Sequence, residues 1–179
     1  ATVDLKQMNT SLKNISGSMT YNAPTLSWKN LNLTYKQHPL LLNGSLQLLK
    51  TPQLTTHLKA NLLEAETTLS MIDQTIFVDE LKGRYSLSPF SSTGHLRSDG
   101  TSDLSIKGMV DLKDLDKLPE NIYASLIKVN PQGRLNYTAN FKGDLTRWRK
   151  SEITLNATSD SLQLMNYPLT NTRLIYQQK

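Results

Sequence analysis

Apolar residues recur at every second position through most of this chain. Leu31/Leu33/Tyr35, Leu104/Ile106, Leu135/Tyr137/Ala139/Phe141, Ile153/Leu155/Ala157 and Leu162/Leu164 are runs of this kind. Each puts its apolar side chains on one face of an extended strand, since successive strand residues point to opposite sides. Leu26/Trp28 passes into Leu31 with a slip of one residue at Lys29-Asn30, which predicts a bulge or a turn. Seven of the eight glycines open a short alternating phrase, among them Gly44-Ser-Leu-Gln-Leu48, Gly108-Met-Val-Asp-Leu112 and Gly133-Arg-Leu-Asn-Tyr137. A glycine in that place predicts a bend, a bulge or a close backbone approach at strand entry. Turn signals fall between the runs at Asn22-Ala-Pro24, His38-Pro39, Thr51-Pro52, Ser98-Asp-Gly100, Asn130-Pro-Gln-Gly133 and Ser159-Asp160. Together these predict an all-β fold: roughly thirteen short strands in one antiparallel meander.

One stretch breaks the two-residue period. Leu118, Ile122 and Leu126 are spaced as on a helix face. Asp116 suits the cap, Pro119 the first turn, and Asn130-Pro131 the stop, so a single short helix is predicted near 117–128. It would lie over an end or an edge of the sheet.

Composition narrows the reading further. Hydrophobic residues make up 37% of 179, which suits strands with one apolar and one polar face. There is no Cys, so disulfides and thiolate metal sites are excluded. The net charge is +5, yet the densest basic run is only Arg147, Arg149 and Lys150 around Trp148. Nucleic-acid binding asks for repeated clusters with stacking aromatics, and aromatics are 7% of the chain. No apolar run approaches the roughly 20 residues that span a bilayer, and the N-terminal residues lack the features of a signal peptide. The chain starts and stops inside strand-like sequence, so 1–179 reads as a single β segment of a longer protein.

Candidate chemistry is thin. His38, His57 and His95 lie far apart, without metal-ligand spacing. Asp111, Asp114 and Asp116 supply no calcium loop, and they precede the predicted helix, where acids favour the positive end of the dipole. No GxSxG elbow and no phosphate loop occurs. The expectation is therefore no enzyme, no metal and no cofactor. The apolar face remains, with Leu33, Leu46, Leu48, Leu104, Ile106, Leu135, Tyr137, Ile153, Leu155, Leu162 and Leu164 as candidate binding residues. Alternation alone leaves two forms open: a closed sandwich that fills its own core, or a splayed trough that needs a guest.

The stretches Leu12-Lys-Asn-Ile-Ser-Gly-Ser-Met-Thr-Tyr21, Leu26-Ser-Trp-Lys-Asn-Leu-Asn-Leu-Thr-Tyr35 and Leu40 to Leu48 resemble the AsmA-like family of bacterial envelope proteins. That family repeats a Gly-led strand, a strand with an Asn-Leu step, and a return strand. Gly108-Met-Val-Asp-Leu-Lys-Asp-Leu115, Gly133-Arg-Leu-Asn-Tyr137, Phe141-Lys-Gly-Asp-Leu145 and the run from Ile153 to Tyr176 resemble the part of such proteins that follows a helix. The resemblance implies a sheet curled into a β-taco-like groove that binds or conducts phospholipid acyl chains. It also implies a periplasmic location, flanking repeats in the same chain, an inner-membrane anchor outside these residues, and a part in lipid transport and outer-membrane integrity. It carries no catalytic residues. Beside it stands a second reading, a closed β-sandwich interaction module of a surface or adhesion protein. A carbohydrate-binding domain would need exposed aromatic platforms, and Trp28 is in phase with the inward Leu26.

Overall fold

The computed structural model describes residues 3–5, 10–35, 37–117 and 130–179. They form an all-β fold in which twelve strands follow one another as an antiparallel meander. The predicted helix near 117–128 falls almost wholly outside the described residues; what precedes it is a 3₁₀ turn, Leu112–Lys117. The chain divides into two compact units, residues 1–83 and 84–179.

The first unit holds β1 (Val3–Leu5), β2 (Thr10–Asn22), β3 (Thr25–Tyr35), β4 (His38–Gln47), β5 (Gln53–Ala60), β6 (Leu63–Ile72) and most of β7 (Thr75–Tyr85). The second holds β8 (Ser88–Arg97), β9 (Thr101–Asp111), β10 (Gln132–Asp144), β11 (Glu152–Leu164) and β12 (Tyr167–Gln178). A second 3₁₀ turn, Leu145–Lys150, joins β10 to β11. Within each unit, strands adjacent in the chain are adjacent in the sheet. Short loops permit nothing else, since a tight hairpin returns the chain beside the strand it has just left.

The strands are longer than the alternation predicts, and the glycines explain the difference. Gly17, Gly44, Gly94 and Gly108 lie inside β2, β4, β8 and β9, not at their entries. Each lets the strand bend or a neighbour approach without ending the strand. The slip at Lys29-Asn30 is a bulge: the pairing of β3 with β4 shifts between Trp28 and Leu31, and Asn30 has a positive φ of 49°. Ser159-Asp160 is not a turn. β11 runs through it, and here too the register with β10 shifts.

Burial is shallow. Among the described residues, only Leu33, Val78, Leu112, Ala157 and Leu162 are buried hydrophobic residues, and no large side chain is sealed completely. Each sheet thus keeps much of its apolar face within reach of solvent or a guest.

Candidate functional site

Cross-strand register assembles the apolar face row by row, since directly paired residues point to the same side. In the first unit, Tyr21 opposes Leu26, which opposes Leu46, then Leu54, then Leu69. Beyond the bulge, Leu31, Leu42, Leu58 and Ala65 form another row, and Leu33, Leu40 and Ala60 a third. The intervening rows are polar: Ser27, Ser45, Thr55 and Thr68, or Asn43, His57 and Glu66. One face is mostly leucine, broken by the row of Trp28, Gly44, Thr56 and Thr67, and the other is mostly hydroxyl, amide and charge, with Leu41 between Asn32 and Lys59.

The second unit repeats the design. Phe90, Gly108, Tyr137, Ala157 and Leu174 make one row, and Ser92, Ile106, Ala139, Leu155 and Tyr176 the next. Gly94, Leu104, Phe141, Ile153 and Gln178 make a third. Leu135 pairs with Val110 at the far end. Burial of Tyr137 pushes its phenol above the ordinary value, as an apolar setting should.

Leu162 reaches this face only through a bulge. Between Asn136 and Gly133 β10 advances three residues, while β11 advances four from Thr158 to Leu162. The extra residue inverts the alternation. Ala157 and Ser159 are buried, Asp160 and Ser161 are both exposed, and Leu162 is buried again. Leu164 keeps phase with Leu162 and pairs with Tyr167.

The sequence candidates therefore sort by place. Leu33 and Leu46 share the apolar face of the first unit, whereas Leu48 lies just past the end of β4 and is 50% exposed. Leu104, Ile106, Leu135, Tyr137, Ile153, Leu155, Leu162 and Leu164 share the face of the second. Phe90 and Phe141 belong there as well. Phe141 was readable from its phase with Tyr137; Phe90, flanked by Pro89 and two serines, gave no alternation.

Three carboxylates fasten the strand ends of the second unit. Asp114, 3% exposed, accepts hydrogen bonds from the Leu87 amide at 2.8 Å, Ser88 Oγ at 2.7 Å and Lys117 Nζ at 2.8 Å. Its burial would raise the carboxyl pKa, but the bonds from Lys117, Ser88, Ser86 and the Leu87 amide outweigh that and pull it down to about 2. Asp111 accepts from the Lys113 amide and from Arg134. Asp144 accepts from the hydroxyl and amide of Thr146 and from Arg147 Nε, which bring it to about 2. These aspartates hold turns in place, so Arg147 of the basic run is tied down at its own strand end.

Clefts open among the described residues, and two of them bear on the site. One of about 380 Å³ lies over Leu33, Leu40 and Ala60 beside Asn14. The other, about 690 Å³, sits at the β11 bulge among Met109, Asp111, Lys113, Arg134 and Asp160. The second mixes both charges and belongs to the polar side. Among the described residues no cluster of His, Asp and Glu is arranged to hold a metal. Comparison with known proteins finds no matching family model, no matching curated protein and no matching solved structure.

Proposed function

We propose that the apolar faces of the two units are binding surfaces for the acyl chains of phospholipid. The observation that carries this reading is the set of leucine-rich rows running across the strands, mostly half-exposed and, among the described residues, without a second sheet packed on them within either unit. An acyl chain lying along a row meets an apolar side chain about every 4.8 Å, and each methylene it buries is worth about 0.8 kcal/mol. The polar head group stays at the strand ends in water.

The resemblance to AsmA-like proteins extends the proposal. In it the chain is a periplasmic segment of a longer protein, anchored in the inner membrane by residues outside this sequence and continued by flanking repeats. It supports lipid transport between membranes and outer-membrane integrity, does no chemistry, and binds no nucleic acid. The interaction-module alternative would need the same faces sealed by a second sheet, and their half-exposed leucines favour a guest.

The test is lipid binding by paired variants. Leu155→Asp puts a carboxylate into the apolar face at a cost of several kcal/mol when a guest covers it, so affinity for a fluorescent phospholipid should fall at least tenfold. Thr154→Asp, on the opposite face, should leave it unchanged. Equal effects, or no binding by the parent chain, would refute the proposal.

A further inference from the structure

Among the described residues of the first unit, the large apolar side chains that are exposed are gathered at one end of its strands. They sit at the hairpins that join β2 to β3, β4 to β5 and β6 to β7. Tyr21, preceded by Met19, is 60% exposed at the first; Leu48 and Leu49 are 50% and 53% exposed at the second; Met71 and Ile72 are 47% and 48% exposed at the third. The opposite end presents Gln37, His38, Pro39 and Asn61, while Leu62 and Leu63 beside that turn are half-buried.

Two further features distinguish these tips from the ragged end of an apolar face. In β6, Met71 keeps phase with Leu69 and Ile72 points the other way, and Leu48 and Leu49 are consecutive. The β6–β7 tip is thus apolar on both sides of the sheet, whereas Met19 and Tyr21 both lie on the face of Leu26, and a guest lying on that face would leave Ile72 uncovered. Secondly, neighbouring tips are joined by their backbones. The Leu48 amide donates to the Pro24 carbonyl at 2.8 Å, and the Met71 amide to the Pro52 carbonyl at 3.0 Å. These two donors need no water, which lowers the cost of bringing their backbone into an apolar medium.

We infer that this end of the first unit is a membrane-docking edge whose three tips dip into the interface of a lipid bilayer. Tips two strands apart form a row about 20 Å long, a comb that a bilayer surrounds from both sides. Tyr21 suits the interfacial layer, and Lys50, next to Leu49, can turn its ammonium back to the phosphates. The inference stands independently of what the apolar faces hold.

The chain has no Cys, so Leu49→Cys, Ile72→Cys and Asn61→Cys can each carry one environment-sensitive fluorophore. With phosphatidylcholine vesicles, labels at 49 and 72 should shift to the blue and be quenched by brominated lipid, and the label at 61 should not. Leu49→Ser with Ile72→Ser should lower vesicle co-sedimentation at least tenfold with the β-rich dichroism spectrum unchanged. Leu155→Asp should leave the tip response intact, which separates this edge from the acyl-chain faces. Silence at 49 and 72, or an equal response at 61, would overturn the inference. So would a blue shift that needs no vesicles and grows with protein concentration, because it would assign the tips to a second copy of the chain.

Discussion

Trp28 lies directly opposite Gly44, and its ring occupies the space that a side chain at position 44 would need. A Cβ added there would meet the Thr55 carbonyl oxygen first, and would sit 2.8 Å from Trp28 Cζ2 and 3.0 Å from the Thr56 Cα. Tyr137 stands in the same relation to Gly108 in the second unit, with its Oη 2.9 Å from the added atom. A glycine deep in a strand gives up β-propensity and backbone entropy, and a cross-strand aromatic that lies down over it restores the lost contact. Both pairs lie on apolar faces, so each folds a large ring flat and keeps the face low.

Gly44→Ala should therefore destabilise the chain by roughly 1–3 kcal/mol, the usual range for overpacking, although alanine is the better strand former. Trp28→Phe should cost less. The ring still covers Gly44, and the Trp28 Nε1–H, which is buried without an acceptor, is removed. Urea denaturation of both variants measures this. A Gly44→Ala chain as stable as the parent would show that the close approach carries no weight.

The Asp114 clasp makes stability depend on pH. Its folded-state pKa of about 2 lies below the ordinary 3.8, so the unfolded chain takes up the proton first. The clasp's contribution is complete above the ordinary value and is lost as the pH falls through the folded one. At pH 7, Asp114→Asn should cost roughly 1.5–3 kcal/mol, the worth of hydrogen bonds to a charged group. The gap between variant and parent should shrink as the pH is lowered from 4 to 2. A gap that stays constant would mean that the charge of Asp114 is not what holds Leu87 and Ser88.

The extra residue in β11 is shared by β12, because Thr158 to Leu162 and Leu169 to Arg173 pair without a slip and Asn171 has a positive φ of 49°. Deleting Asp160 alone removes the extra residue opposite β10 and leaves it in β12, so β11 and β12 should fall out of register on one side of the deletion, where a one-residue slip inverts every side chain of β12. Deleting Asp160 and Asn171 together restores register across β10, β11 and β12 and should recover more than half of the lost stability. If the double deletion is no better than the single one, register is not the cause.

The alternation of leucine with hydroxyl and amide residues was sufficient for the all-β meander, because period two has one structural solution. It also marked the slip at Asn30, where apolar residues on both sides reveal the change of phase. The β11 bulge escaped notice for the opposite reason. Ser159-Asp160 has the chemistry of a turn, and nothing local distinguishes a turn from a bulge when both ask for small polar residues. Strand length was hidden by the glycines, which look like ends and act as bends. Asp111 and Asp114 looked like helix-start acids, and their partners, Arg134 and Leu87-Ser88, are more than twenty residues away in sequence. Leu48 carried the right phase, but only pairing with a neighbour could show that the strand stops at Gln47.

The most direct measurement is photo-crosslinking from both faces of both units in the presence of phospholipid. A photoreactive amino acid would replace Leu46, Leu104 or Leu155 on the apolar faces, and Thr55, Ser105 or Thr154 on the polar ones. The expected result is lipid adducts from all three apolar positions and at least tenfold fewer from their polar partners. Equal labelling of the two faces, or no adduct at any apolar position, would contradict a lipid-bearing sheet.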